Sequence, residues 1–193
     1  MDLQEIVTEN ERRKEVKKDS YDPIKGTGCY GNRIVYDATR WGEGEVLIPE
    51  SLLNDKLLNE AKTKKSYVKA RCRHDFEYWC VMCVKVKDKT SGRDIAFRLN
   101  PAQRKMLAVM EQMREQEEPV RVILLKARQW GGSTLVQIYM AWWQTVLYTN
   151  CHSLICSHVK DTSATIRGIY SKLLTNYPNE YWDGVKSRVK SLS

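Results

Sequence analysis

The clearest hydrophobic periodicity lies in the second half of the chain. Apolar side chains recur there at the i, i+3, i+4 and i+7 spacing of one helix face. They are Leu135, Ile138, Tyr139, Trp142 and Val146. Trp143 and Leu147 widen the same stripe, so this helix is predicted to be largely buried. A further helix, capped by Asp161, is predicted to run to Tyr177, just before Pro178.

Two short apolar runs precede these helices and are predicted to be strands. Val120–Lys126 is rich in β-branched residues, and Cys151–His158 is the second candidate. Continuous apolar runs of this length are typical of strands that are buried on both faces of a parallel sheet. The order strand, helix, strand, helix therefore predicts a right-handed βαβ unit.

Two helix starts are predicted in the middle of the chain. Asn100 to Gln103 supplies an N-cap, a proline at the first helical position and a glutamine that can reach back to the cap. Pro119 is expected to end that helix. Asp75 can cap another helix with Phe76, Trp79, Cys80 and Cys83 on one face. The valines at 81, 84 and 86 leave a strand open as the alternative.

The N-terminal third is less regular. Residues 1–20 are charged and are predicted to form a helix or a flexible arm, and glycines between 26 and 44 indicate irregular structure. A helix is predicted from Ile48 to about Lys62, with a proline near its first turn. We therefore expect a helical and irregular segment over residues 1–66 and an α/β domain over 67–193.

The composition of the 193 residues, 42% hydrophobic and 29% charged, fits an ordinary globular protein and excludes disordered and collagenous classes. No run of about 20 apolar residues is present, which argues against a transmembrane helix. The polar opening residues lack the apolar core of a secretory signal, so we expect a cytoplasmic protein. Six cysteines are then expected to be reduced thiols.

The charge balance favours a polyanionic partner. Lys and Arg number 32 against 24 Asp and Glu, a net charge of +8. Such an excess is typical of proteins that bind nucleic acid, although a basic solvated surface explains it equally well. The cations are mildly concentrated at Lys62–Arg73 and Lys186–Lys190.

The segment with the most specific chemistry is Lys126–Thr134, which lies between a predicted strand and a predicted helix. A phosphate-binding loop occupies that position in P-loop proteins, where backbone N–H groups bind phosphates, a cation neutralises them and a hydroxyl holds Mg²⁺. On the G-x-x-x-x-G-K-S/T pattern, Gly131 is the second glycine and Ser133 the hydroxyl. Lys126 replaces the first glycine and Gly132 replaces the lysine. A plain turn with glycines for close packing is the alternative.

The pattern Lys-Ala-Arg-Gln-x-Gly-x-Ser/Thr resembles the deviant Walker A loop of the large terminase subunits of tailed phages. A second stretch, Phe97–Gln103, resembles the phenylalanine and glutamine element that precedes this loop in terminases and related helicase-like motors. The resemblance covers roughly residues 67–180. It implies a P-loop NTPase (RecA-like) fold with a parallel sheet, of which this sequence is expected to hold the first half only.

The resemblance also implies which residues would form an ATP site. A basic residue early in the loop, Arg128 or Lys126, would replace the usual lysine, and Arg128 matches the family better. Ser133 would ligate Mg²⁺. Gln103 would read adenine, because one amide can pair with both N6 and N7, although the same amide could complete a capping box with Asn100. The full set expected at ATP comprises Gln103, Lys126, Ala127, Arg128, Gln129, Trp130, Gly131, Gly132, Ser133 and Thr134.

The function implied by this resemblance is ATP-driven translocation of double-stranded DNA into a procapsid. The implied partners are the portal protein, the small terminase subunit and further copies of the chain, with no membrane. The sequence shows neither an acidic Walker B strand nor the carboxylate cluster of a nuclease, so weak nucleotide binding and poor hydrolysis are expected. A helicase-like DNA-remodelling ATPase and a non-enzymatic basic DNA-binding or assembly protein are the alternatives.

A second constellation has the residue types of a metal site. Cys72, His74, Cys80 and Cys83 have a spacing that could provide four zinc ligands. Cys80 and Cys83 also complete an apolar helix face, where free cysteine behaves as a small hydrophobic residue. We favour the second interpretation.

Overall fold

The structure, a computed structural model, describes residues 4, 21–88, 90–125, 130–148, 150–156 and 160–181, with the backbone alone at 160–163 and 165. The strands are β1 (Arg33–Asp37), β2 (Glu45–Pro49), β3 (Lys85–Lys87) and β4 (Asp94–Ala96). The α-helices are α1 (Lys56–Asn59), α2 (Lys64–His74), α3 (Phe76–Cys83), α4 (Pro101–Glu115), α5 (Gly132–Trp142) and α6 (Lys160–Thr175). Short 3₁₀ turns cover Thr39–Trp41, Glu50–Asn54 and Asn179–Tyr181, and α5 continues as a π-turn over Trp143–Leu147.

The described residues form two antiparallel hairpins. β1 pairs with β2, with Val35 opposite Leu47, and β3 pairs with β4, with Val86 opposite Ile95. The described parts of the two predicted parallel strands, residues 120–125 and 151–156, belong to neither hairpin. The parallel sheet therefore stays a prediction.

Two predicted helix starts are confirmed. Asn100 Oδ1 accepts the backbone N–H of Gln103, and Gln103 Oε1 accepts the backbone N–H of Asn100, both at 2.9 Å. Pro101 is the first residue of α4, where its missing N–H costs no hydrogen bond. Asp75 Oδ1 accepts the N–H of Tyr78 at 3.2 Å and begins α3, so the segment after Asp75 is a helix rather than a strand.

Two predicted element bounds were wrong. The helix predicted from Ile48 to Lys62 is the end of β2, a 3₁₀ turn and the short α1. The chain turns because Asp55, in an extended conformation, accepts the N–H of Leu57 at 2.7 Å and starts a new helix there. The described part of α6, Lys160–Thr175, already includes the residue before Asp161, so Asp161 lies within the helix rather than at its cap. Apart from Gln4, residues 1–20 lie outside the described part of the chain.

An aromatic core joins α5 to α2 and α3. Phe76 meets Tyr139 and Trp142 edge-on, with ring centroids 5.2 and 5.3 Å apart. The fully buried Trp142 donates from Nε1 to the carbonyl oxygen of Cys72 at 2.7 Å. The predicted burial of this helix is thus confirmed over Leu135–Trp142, whereas the π-turn that follows is only partly buried. Among the described residues, no helix has the length and apolar character needed to span a membrane.

A buried ionic network fixes the N-terminal hairpin to α2 and α3. Arg33 forms a two-point contact with Asp75, at 2.8 and 2.9 Å, and Arg71 reaches Asp75 at 3.3 Å and Glu43 at 3.0 Å. Burial opposes ionisation of Asp75, but the two guanidinium groups outweigh it and hold the pKa of Asp75 below its ordinary value. Residues on both sides of position 66 therefore share one core.

Candidate functional site

Helix α5 begins at a glycine turn, as the loop pattern requires. Gly131 has φ of +87°, in the left-handed region that glycine adopts without steric cost, and its carbonyl oxygen accepts the N–H of Leu135 at 3.0 Å. No side chain in the described part of the chain caps this helix. The first N–H groups of α5 therefore lack a side-chain acceptor at the end where the helix dipole favours an anion.

The polar start of α4 holds the backbone of this turn. Asn100 donates from Nδ2 to the carbonyl oxygen of Trp130, and Gln103 donates from Nε2 to that of Gly131, each at 3.0 Å. In a trans peptide the N–H points opposite to the C=O. The N–H groups of Gly131 and Gly132 are therefore directed away from the side chains that hold the carbonyls.

Close packing disfavours a side chain at either of the two glycines. A Cβ on Gly131 would lie 2.7 Å from Gln103 Nε2, and a Cβ on Gly132 would lie 2.6 Å from the ring of Trp130. Position 132 is where the usual pattern has its lysine, and a lysine there would displace the Trp130 ring. The packing of the Trp130 ring thus gives a steric reason for glycine, rather than the usual lysine, at position 132.

Three other loop residues lie around the start of α5. Ser133 is exposed and Thr134 half-buried on the first turn of the helix. The indole Nε1 of Trp130 is buried and has no hydrogen-bond partner among the described residues. An orphaned donor is uncommon in folded proteins, and here it lies beside a helix end that favours anions.

Gln103 is buried, 3% exposed, and both ends of its amide are engaged. The predicted capping box is therefore confirmed. Contact of the same amide with adenine stays a prediction, since it would have to share or replace the bonds to Asn100 and Gly131. Lys126, Ala127, Arg128 and Gln129 lie outside the described residues, so the choice between the two basic residues also stays a prediction.

The contact of Asn100 with the loop was not predicted from the sequence, which indicates only a helix cap at this residue. The signal that could have pointed to this contact is that Phe97–Gln103 and Lys126–Thr134 both resemble the same family. Nothing in the 30-residue separation of Asn100 and Trp130 indicates a hydrogen bond.

The cysteine and histidine constellation has a different geometry from a zinc site. Cys72, Cys80 and Cys83 are buried in the core, and burial raises the pKa of Cys72 and Cys80 far above that of a free thiol. His74 faces elsewhere, with Nε2 2.7 Å from Asp55 Oδ2. Within the described ranges, no group of three or more Cys, His, Asp or Glu side chains is arranged to hold a metal.

Comparison of the chain with protein-family models, with curated proteins and with solved structures found no match. The loop residues and the contacts they make therefore carry the functional interpretation.

Proposed function

We propose that this chain is the N-terminal ATPase portion of a viral DNA-packaging motor, the large terminase subunit. It would bind Mg-ATP to drive double-stranded DNA into a procapsid. One observation above all supports this proposal. The two segments that resemble terminases, Phe97–Gln103 and Lys126–Thr134, are in contact through the hydrogen bond from Gln103 to Gly131, across 28 residues of sequence.

The start of α5 suits a nucleotide phosphate. Among the residues that the structure describes, no side chain caps its first N–H groups and none accepts a hydrogen bond from Trp130 Nε1, and two glycines keep side chains off the turn. In the proposed site these N–H groups, with Arg128 or Lys126, bind the phosphates. Ser133 holds Mg²⁺ and Gln103 contacts adenine. Bound Mg-ATP supplies the free energy for DNA movement when its terminal phosphate is cleaved.

The proposed partners follow from this function. The motor acts on double-stranded DNA and assembles from several copies of the chain, together with the portal protein and the small terminase subunit. It works in the cytoplasm of the bacterial host, without a membrane partner. The net charge of +8 is compatible with the polyanionic cargo.

Calorimetric titration with Mg-ATP tests the proposal. We expect weak binding that prefers ATP to GTP and is lost in Arg128→Ala or Lys126→Ala. Arg93→Ala, which removes an exposed cation next to β4, is the matched control and should leave binding unchanged. Absence of ATP binding by the folded chain would overturn the nucleotide site. Rapid ATP turnover would contradict the expectation of poor hydrolysis.

The same preparation separates the two alternative functions. ATP binding without any binding to a portal protein would favour a helicase-like remodelling ATPase. Salt-sensitive DNA binding that neither ATP nor Arg128→Ala changes would favour a non-enzymatic DNA-binding or assembly protein.

A further inference from the structure

A serine, a histidine and an aspartate are joined by hydrogen bonds where α2 ends. Ser51 lies in the 3₁₀ turn after β2, Asp55 caps α1, and His74 is the last residue of α2. The imidazole of His74 lies between the other two side chains, with Nδ1 3.1 Å from Ser51 Oγ and Nε2 2.7 Å from Asp55 Oδ2. A hydroxyl beside a base that a third group orients is the arrangement that activates serine as a nucleophile.

The charge of Asp55 fixes the direction of both hydrogen bonds. Burial opposes ionisation of Asp55, but the N–H of Leu57 and the neighbouring His74 and Arg73 outweigh it and lower the pKa of Asp55. A carboxylate accepts hydrogen bonds and donates none, so Nε2 of the neutral imidazole carries the proton. Nδ1 is then the acceptor, and the hydroxyl of Ser51 donates to it. His74 is therefore in the tautomer that can take the proton of Ser51.

The three side chains become more exposed from the aspartate to the serine. The side chain of Asp55 is 13% exposed and that of His74 is 24% exposed, whereas Ser51 is an exposed residue. The second oxygen of Asp55 accepts the N–H of Leu57 at 2.7 Å, which fixes the carboxylate further. Arg73 Nε lies 4.0 Å from the oxygen that His74 contacts and leaves the shorter contact to the imidazole. The nucleophile is thus accessible, while the groups that activate it are held in place.

Ser51 and His74 line a cavity of about 200 Å³. Pro49, Phe76 and Leu107 add apolar surface to its wall. A cavity of this size accommodates a short acyl group beside the serine hydroxyl.

The charges on the cavity wall favour one class of substrate. Five carboxyl groups line the cavity, those of Glu50, Asp75, Glu77, Glu111 and Glu115. Arginines already bind Asp75 and Glu111, and Glu77 is 4.0 Å from Arg33. Glu50 and Glu115 are exposed and keep the wall negative. The wall therefore repels anionic substrates and admits neutral or cationic ones.

The same wall offers a hydrogen-bond donor for the negative charge that forms on a carbonyl oxygen under attack. Asn32 lines the cavity and is exposed. Its backbone carbonyl oxygen accepts the N–H of Glu50 at 3.2 Å, which holds Asn32 beside the turn that carries Ser51. A side-chain amide is one of the groups that stabilise such an oxyanion.

We infer that Ser51, His74 and Asp55 form a hydrolytic site for small neutral or cationic carboxylic esters. Ser51 Oγ bonds to the carbonyl carbon of the ester while its proton passes to His74 Nδ1. The bond from that carbon to the alcohol oxygen then breaks, and the alcohol leaves with the proton from His74. Water repeats both steps on the acyl-serine, which releases the carboxylic acid and restores Ser51. The site shares no residue with the proposed ATP site and does not rest on it.

Labelling of the full chain with a fluorophosphonate, followed by peptide mass mapping, tests the nucleophile. The reagent transfers its phosphonyl group to a serine oxygen and releases fluoride, so we expect an adduct at Ser51 that is lost in His74→Gln. Ser91 is the internal control, because it is exposed but its hydroxyl donates to Asp88 rather than to a histidine. A folded parent chain without an adduct at Ser51, or with equal labelling of Ser91, would overturn the inference.

Hydrolysis of p-nitrophenyl acetate tests the roles of the three side chains. Ser51→Ala and His74→Gln should each lower kcat/KM by at least about a hundredfold. Asp55→Asn keeps a residue that caps helices well, so thermal melting should change little. Its amide can donate to Nε2 and leave the proton on Nδ1, so kcat/KM should also fall by at least about a hundredfold.

Matched variants separate this site from slow hydrolysis by any exposed imidazole. His152→Gln and Ser91→Ala remove exposed residues of the same two types and should leave kcat/KM unchanged. Hydrolysis that survives Ser51→Ala, or that falls equally in the matched variants, would overturn the inference. Faster hydrolysis of the anionic p-nitrophenyl hemisuccinate than of the acetate would overturn the assigned substrate class.

Discussion

Gln103 joins the starts of two helices through one amide. Its Nε2 donates to the carbonyl oxygen of Gly131 at 3.0 Å, and its Oε1 accepts the backbone N–H of Asn100 at 2.9 Å. The residue that completes the cap of α4 is thus also the residue that orients the turn before α5. Any variant at position 103 will therefore act on the loop as well as on the helix.

Replacing Gln103 by alanine should weaken the binding of ATP, GTP and inorganic triphosphate, and that of ATP the most, because ATP also loses the proposed adenine contact. The loop loses one hydrogen bond that orients its backbone, about 1 kcal/mol, or roughly a fivefold loss of affinity. Competition titrations with the three ligands measure this. Gln112→Ala, at an exposed position of the same helix, is the control and should have no effect. An equal loss for all three ligands would contradict the adenine contact and leave Gln103 with its role in the loop alone.

Replacing Gly131 by alanine should destabilise the fold by about 2–3 kcal/mol, because the residue has a positive φ and the new Cβ would displace the Gln103 amide. Gly42→Ala is the control. Gly42 has φ of +82°, and a Cβ added there would have no atom within 4 Å, so it should show the backbone cost alone, about 1–2 kcal/mol. Urea unfolding compares the two, and equal losses would contradict the contact.

The buried Asp75 should make the fold sensitive to acid. Its pKa is lowered in the folded chain, so its contribution to stability is present above the unfolded pKa of about 3.9 and is lost as the pH falls through the folded pKa. Asp75→Asn should cost about 3 kcal/mol at pH 7, because the buried Arg33 and Arg71 both lose the carboxylate that they share. Below pH 4, the stability of the Asp75→Asn variant should also fall less steeply with pH than that of the parent chain.

Urea unfolding at pH 7 and at a series of acid pH values measures both effects. Asp37→Asn, at an exposed position on β1, should leave the unfolding curve nearly unchanged at pH 7. A similar small effect at Asp75 would show that the two-point contact with Arg33 contributes little to stability.

Glu77 should show the opposite pH dependence. Burial raises the pKa of this carboxyl group, whose Oε1 has no hydrogen-bond partner among the described residues. The folded chain therefore holds this proton more tightly than the unfolded chain does, and stability present below the unfolded pKa of about 4.3 is lost as the pH rises through the folded pKa. Glu77→Gln should stabilise the fold by about 1 kcal/mol at pH 7 and have little effect below pH 4.

The contrasting variant is Glu111→Gln, measured by the same unfolding experiment. Glu111 is buried and accepts hydrogen bonds from Arg114 and Tyr139, so loss of its charge should destabilise the fold. Destabilisation at pH 7 in both variants would mean that Glu77 is ionised and paired in the folded chain.

The features predicted best from the sequence are those whose signals are local. The caps at Asn100 and Asp75 and the apolar stripe from Leu135 to Trp142 were all identified, because cap and stripe residues lie within a few positions of each other. The bend at Asp55 was missed, since the leucines on both sides keep a helical spacing although only Leu52 and Leu58 are buried. The predicted parallel strands are not tested, because a strand needs a partner and residues 120–125 pair with no described residue.

By itself, the sequence of this protein determined where several helices begin, which faces they bury and where a glycine turn precedes α5. The tertiary structure alone decided that Gln103 meets Gly131, that Asn100 meets Trp130 and that Arg33 meets Asp75 across 42 residues. The physical reason is the range of the interactions. Caps and periodicity depend on neighbours within a few residues, whereas the partner of a buried amide or carboxylate depends on which distant segments the core brings together.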